Sequence, residues 1–182
     1  MKSKLVLLIG LLIFLASSKT FAQFSVGAEV GLPMGNFSDI AKAGFGGSFR
    51  YEATINDKLN WSASAGYLSF TGKDFTVLNV TIPFGNSSII PLVGGIKYYF
   101  SEASNGFYGA ADLGLNFISY YTYSYNSGNG GGYNSSSASA TRFGFAPGIG
   151  YRMGNWDFTA KYNLISDANY LGLRAAYIFG TK

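Results

Sequence analysis

From Phe24 to Phe179 large apolar residues keep alternating with small or polar ones, and only a β-strand sends successive side chains to opposite faces. Phe24, Val26, Ala28, Val30 and Leu32 share one face, against Ser25, Gly27, Glu29 and Gly31. Phe45, Gly47, Phe49, Tyr51, Ala53 and Ile55 stand against Gly46, Ser48, Arg50, Glu52 and Thr54. Leu59, Trp61, Ala63, Ala65 and Tyr67 oppose Asn60, Ser62, Ser64 and Gly66. A less regular fourth segment, Ser88 to Phe100, separates Ile90, Leu92, Ile96 and Tyr98 from Lys97. In the fifth, Phe107, Ala111, Leu113, Leu115 and Phe117 oppose Tyr108, Ala110, Asp112, Gly114 and Asn116. The sixth sets Phe143, Phe145, Ile149 and Tyr151 against Arg142, Gly144, Ala146, Gly148 and Gly150. Trp156, Phe158, Ala160, Tyr162 and Leu164 oppose Asp157, Thr159, Lys161 and Asn163, and Leu171, Leu173, Ala175, Tyr177 and Phe179 oppose Gly172, Arg174, Ala176 and Ile178. The pattern predicts eight strands in one all-β domain.

The connections alternate in length. Asn56–Lys58, Ser101–Gly106 and Met153–Asn155 are short and rich in turn formers. Met34–Lys42, Gly72–Ser87 and Asn126–Ser139 are longer and polar, the last a low-complexity run of Gly and Ser; Ser166–Asn169 is short. Within the second of the long connections, Phe75–Ile82 reads as a strand extension above the rim.

Two architectures accept such alternation, a soluble sheet and a membrane barrel. In a soluble sheet the polar face meets water and carries many Lys and Glu. Here that face is mostly Gly, Ser and Ala, with isolated charges of both signs. Small residues and opposite charges suit a crowded interior, and eight strands enclose a lumen just wide enough for side chains to fill. The apolar face, turned to lipid, requires closure, because an open edge would leave backbone groups unsatisfied at several kcal/mol each. Its large aromatics cluster beside the short turns: Trp61, Tyr98, Phe107, Tyr151, Trp156, Tyr177 and Phe179 are expected to form a girdle at headgroup level. Phe45, Tyr67, Phe117, Phe143 and Tyr162 are placed to form a second ring at the long-loop end. The fold class expected is an eight-stranded antiparallel up-and-down transmembrane β-barrel.

The first 22 residues read as a signal peptide: Lys2 and Lys4, an apolar run from Leu5 to Ala16, and the small-residue site Thr20-Phe21-Ala22. That run, about 12 residues, is shorter than the roughly 20 of a spanning helix. The mature domain is then 23–182. Removing Lys2, Lys4 and Lys19 leaves ten basic against nine acidic side chains, a net charge of +1, so the formal +4 of the whole chain is no sign of a nucleic-acid partner.

The signal ending Phe21-Ala-Gln, the opening strand Phe24-Ser-Val-Gly-Ala-Glu-Val-Gly31, Gly95-Gly-Ile-Lys-Tyr-Tyr-Phe100 before a turn, Phe145-Ala-Pro-Gly-Ile-Gly-Tyr-Arg152 and the closing Leu171–Phe179 resemble small outer-membrane β-barrel proteins of the porin-like superfamily, especially those of Bacteroidota. The resemblance spans the mature chain. It implies export through a cleaved signal, residence in a Gram-negative outer membrane, and lipid and the barrel insertion machinery as partners. It specifies a fold and says little about activity.

By parity Glu29, Arg50, Glu52, Lys97, Asp112, Arg142, Asp157, Lys161 and Arg174 face the lumen, with Arg152 at its rim. Charges there must pair. They are expected to form a network that fills the barrel, or alternatively to line a narrow channel for small solutes. The chain has no cysteine and no histidine, which excludes disulfides, thiol nucleophiles, Cys/His metal sites and Ser-His-Asp chemistry. No phosphate-cradling glycine loop is present, since Gly44-Phe-Gly-Gly47 lies inside a strand. No enzyme activity, cofactor or metal is expected. Three roles remain: a monomeric structural or surface-interaction barrel acting through its long loops, the narrow channel, and a soluble lipocalin-like carrier. In the first of these, Tyr120, Tyr121, Tyr123 and Tyr125 stand above the membrane as a contact surface or extend the upper girdle.

Overall fold

The structure, a computed structural model, describes residues 22–77, 80–101, 105–126 and 132–180. The signal segment therefore lies outside the described residues, except for Ala22. Among the described residues there are nine strands: β1 Ala22–Pro33, β2 Ala41–Thr54, β3 Leu59–Gly72, β4 Asp74–Val77, β5 Val80–Tyr99, β6 Gly106–Asn126, β7 Gly132–Met153, β8 Trp156–Ile165 and β9 Tyr170–Phe179. All pairings are antiparallel. Eight of the strands close a barrel: β1 pairs with β2 and β9, β3 pairs with β5, and every other barrel strand pairs with its chain neighbours. The seam between first and last strands is a continuous register from Phe24↔Phe179 to Pro33↔Tyr170. Pairing therefore runs unbroken around the barrel, and among the described residues an edge is left open where β7 extends above Gly144.

The ninth strand corrects the sequence reading of Phe75–Ile82. It is not one extended segment but a hairpin, with Asp74–Val77 folding back on Val80–Pro83. The Asn126–Ser139 connection is also shorter than its composition suggests, since β6 and β7 stay paired to Asn126↔Gly132. The Met34–Lys42 connection holds one helical turn, α1 (Phe37–Ile40). At the opposite end the turns are tight. Gly154, at φ 59°, takes the left-handed conformation that the β7–β8 turn needs and that side-chain-bearing residues resist.

Side-chain parity sorts the wall cleanly. Phe24, Val26, Phe49, Leu92, Ile96, Leu113, Leu115, Phe145, Ile149, Phe158 and Leu173 are exposed on the outside. Arg50, Glu52, Lys97, Asp112, Asp157, Lys161 and Arg174 are buried inside. This inverts the ordinary soluble arrangement, in which charge meets water and hydrocarbon meets hydrocarbon.

Candidate functional site: the sealed barrel interior

The interior is stacked in two layers. The layer on the short-turn side is polar and starts from parity. Lys97 on β5 alternates with Tyr99, and Tyr108, Ala110 and Asp112 alternate along β6, so all five point inward. Lys97 reaches across the lumen to Asp157 on β8, Nζ to Oδ2 2.6 Å, and to Glu52 Oε2 on β2 at 2.7 Å. Asn60 Nδ2 donates to Glu52 Oε1 at 2.7 Å, and Tyr99 Oη donates to the same oxygen at 3.2 Å. Tyr108 donates to Asp157 Oδ1, shares a 2.6 Å hydrogen bond with Thr159, and presents its ring 4.6 Å from Lys97 Nζ.

Higher in the same layer, Arg50 on β2 crosses to Asp112 on β6, Nη2 to Oδ2 3.3 Å, and Lys161 on β8 meets the same oxygen. Arg174 on β9 donates from Nη2 to Ser25 Oγ at 3.0 Å and from Nε to Ser48 Oγ at 2.8 Å. Ser48 in turn donates to Glu29 Oε1 at 2.8 Å, relaying Glu29 to Arg174, whose Nε is 3.7 Å from it. The four cations Arg50, Lys97, Lys161 and Arg174 face the four anions Glu29, Glu52, Asp112 and Asp157, so the interior is neutral as a whole. A single ion of this kind, buried alone, would be prohibitive, whereas a balanced, hydrogen-bonded set is sustainable. Small residues make the room. A Cβ at Gly150 would overlap the Tyr108 ring, one at Gly95 the Asp112 carboxylate, and one at Gly148 would sit 2.5 Å from Lys161 Cγ.

Arg142 stands apart. Parity predicted it in the network, but its side chain is 44% exposed and lies 3.8 Å from Asp167, itself exposed, at the long-loop rim. The reason is register. β8 pairs with β7 only as far as Gly144↔Ile165, so beyond Gly144 no neighbouring strand covers that flank. Arg152, at the other rim, donates from Nε to the Gly154 carbonyl.

The layer on the long-loop side is apolar, which the sequence reading did not anticipate. Leu68 and Phe70 of β3, Ile89 of β5, Ile118 of β6, Ile165 of β8 and Tyr170 of β9 all point inward, and α1 lowers Phe37 onto them. Phe37 is 1% exposed, with its ring 5.0 Å from that of Phe70, which packs 5.6 Å from Tyr170. Parity alone, continued two and four positions past Gly66, places Leu68 and Phe70 in the lumen. Phe37 carries no such signal. Tyr120 packs against this cluster while Tyr121 is exposed, so the tyrosine run is split between interior and surface; the side chains of Tyr123 and Tyr125 lie outside the described residues.

Outside, aromatic rings touch in series near the short-turn end. Phe24–Tyr51 and Tyr51–Trp61 lie at 5.2 and 5.3 Å, Trp156–Tyr177 and Tyr177–Phe179 at 5.5 and 5.0 Å, and Phe107–Tyr151 at 4.6 Å. Tyr98 stands 6.0 Å from Phe100 in the same band. Among the described residues no group of His, Cys, Asp and Glu is arranged to hold a metal.

The sequence matches no protein-family profile and no curated protein. Solved structures do match. Ail, the attachment invasion locus protein of Yersinia pestis, determined with the heparin analogue sucrose octasulfate, has a TM-score of 0.53 at 15% identity, covering 89% of this chain and all of Ail. The same outer membrane protein in a phospholipid bilayer nanodisc gives 0.52 at 17% identity, covering 88% of this chain and 100% of that one. Neisserial surface protein A gives 0.50 at 16% identity, over 87% of this chain and 97% of that chain. At such identities the likeness is one of fold: this chain is an eight-stranded closed antiparallel β-barrel of the kind seen in Ail and Neisserial surface protein A.

Proposed function

We propose that residues 23–182, after removal of a signal peptide over 1–22, form a monomeric integral protein of a Gram-negative outer membrane, inserted by the barrel assembly machinery and surrounded by lipid. Its role is structural or surface-interactive, the latter carried by the long-loop end. The observation that carries the membrane assignment is the inverted wall, apolar outside and charged inside. The spacing of aromatics supports it. Phe143 and Tyr151 on β7 are eight residues apart, about 27 Å along a strand and roughly 20 Å after a tilt of about 40°, close to the apolar band of such barrels. A lipocalin-like carrier needs the opposite, a roomy apolar interior and a wet exterior. The channel reading draws no support from a lumen filled by one charged and one apolar layer.

The surface role draws on the β5–β6–β7 sheet. Residues 132–143 of β7 have β6 on one side and, among the described residues, no strand on the other. That is about 40 Å of strand with an unpaired edge. Between Tyr133 and Thr141 this edge carries no charge and no proline, the usual devices that discourage pairing.

The test uses epitope insertions. A tag between Ser166 and Asp167 should be labelled by antibody on intact cells, and one in the Asn56–Lys58 turn only after the outer membrane is opened. Labelling of neither tag on intact cells, with recovery of the protein in the soluble fraction, overturns the membrane assignment. For the surface role, residues 123–135 are replaced by a two-residue turn, and adhesion of expressing cells to host cells, envelope sugars and immobilised proteins is compared. Adhesion equal to that of the intact chain on every surface would remove the interaction role and leave the structural one.

A further inference from the structure

Within the charged layer, just below the apolar stopper, lies a cavity of about 50 Å³. Its charged lining is Arg50, Lys161 and Arg174 against Glu29 and Asp112, a local charge of +1 inside an interior that is neutral overall. The compensating negative charge sits lower, where Glu52 and Asp157 face Lys97 and Arg174 Nη1 reaches down to 3.7 Å from Asp157 Oδ2. Donors and acceptors are unequal too. Arg50 Nε and Nη1 and Arg174 Nη1 are buried with no hydrogen-bond partner among the described residues, whereas Asp112 Oδ1 is the corresponding carboxylate oxygen. Arg50 and Arg174 are themselves only 3% and 5% exposed.

We propose that this cavity is a binding site for a small monovalent anion of the halide class. The argument is one of satisfaction. The Arg50 guanidinium brings two unspent N–H donors, Nε and Nη1, to the wall of this space, and a buried charged donor left without a partner costs more than a neutral one. A water molecule accepts from them but brings two hydrogens that need acceptors of their own, and Asp112 Oδ1 is the one buried side-chain acceptor left without a partner among the described residues. A halide only accepts. It cancels the local +1, and the apolar layer of Ile165 and Tyr170 beside it keeps the dielectric low, which strengthens the attraction. Size agrees: about 10–15 Å³ of such space holds one water, so the cavity takes a halide with a water or two beside it. A sulfate or phosphate is too bulky and brings more charge than the lining offsets. The site depends only on the barrel interior, so its failure and the failure of the membrane assignment are separate outcomes.

Bromide is the probe. The chain is folded and crystallised in sodium bromide, and anomalous scattering is recorded at the bromine edge. A peak in the cavity within hydrogen-bonding reach of Arg50 and Arg174 is expected. In parallel, thermal unfolding in detergent is followed at constant ionic strength as gluconate is replaced by bromide. The transition should rise saturably for the wild type, and Arg50→Gln should lose that rise. Bromide peaks confined to the surface, or unfolding that is the same in bromide and gluconate, would show that only water fills the cavity. An Arg50→Gln protein that folds and keeps the full bromide effect overturns the assignment as well. The scattering measurement needs no variant, so a failure of Arg50→Gln to fold leaves the proposal open to refutation.

Discussion

Lys97 is the residue on which the lower interior turns. It has 0% exposure and two carboxylates within 2.7 Å, so removing its charge leaves Glu52 buried without a cation and Asp157 with only Arg174 Nη1, 3.7 Å away. Lys97→Met keeps most of the volume and none of the charge, and is expected to cost about 3–5 kcal/mol, the scale for breaking a buried pair. Asp57→Ala, in an exposed turn, is expected to stay within about 0.5 kcal/mol. Urea unfolding in micelles compares the two directly, and equal small effects would show that the cross-lumen struts contribute nothing. Much of this group was legible in the sequence because parity is strict: once Ser48 is inward, so are Arg50 and Glu52, and the same logic extends to Tyr99 beside Lys97. Parity says nothing about height, however. It could not tell that Arg142 stands beyond the point where β8 ends, nor which cation meets which carboxylate, because the Lys97, Arg50 and Lys161 pairs join strands that are not neighbours in the sheet; only Arg174 meets Glu29 and Asp157 from an adjacent strand.

Elements show where local pattern stops being informative. Phe37-Ser-Asp-Ile40 is one turn of helix, too short for any periodicity, and its meaning comes only from the six inward apolar residues that the strands gather beneath it. The Ser- and Asn-rich flanks of the β6–β7 hairpin look like a loop by composition, yet the strands remain in register to Asn126↔Gly132 because pairing satisfies their backbone groups whatever their side chains. The stopper and the charged layer are separate closures, which leads to an expectation at this scale. Phe37→Ala removes a fully buried ring and should cost about 3 kcal/mol or more. It should nevertheless leave planar bilayers electrically silent, because the Lys97 and Arg50 struts still cross the lumen below. Step-like currents from Phe37→Ala, absent from the wild type, would make α1 the sole gate and revive the channel.

At the level of the whole molecule, the question is what solvent the wall was made for. Closed barrels of this type commonly resist SDS until boiled, so unboiled and boiled samples are expected to migrate differently. That behaviour reports closure rather than location, and a substitution on the outer wall reports location. Leu113 on β6 lies about midway between Phe107 and Phe117 and is 54% exposed. In water, Leu113→Arg would touch little and shift stability by no more than about 0.5 kcal/mol in either direction. In a bilayer the same guanidinium stands at the hydrocarbon midplane and costs about 2–4 kcal/mol. Phe143→Arg is the internal control. It too is exposed on the outer wall but lies at the upper aromatic ring, where the penalty falls to about 0–1 kcal/mol. Reversible unfolding from phospholipid vesicles should therefore rank Leu113→Arg well below Phe143→Arg, with the gap closing in a detergent micelle thin enough for the charge to reach water. If both substitutions are neutral in vesicles, Leu113 does not face hydrocarbon, and the inverted wall must be explained by something other than a membrane.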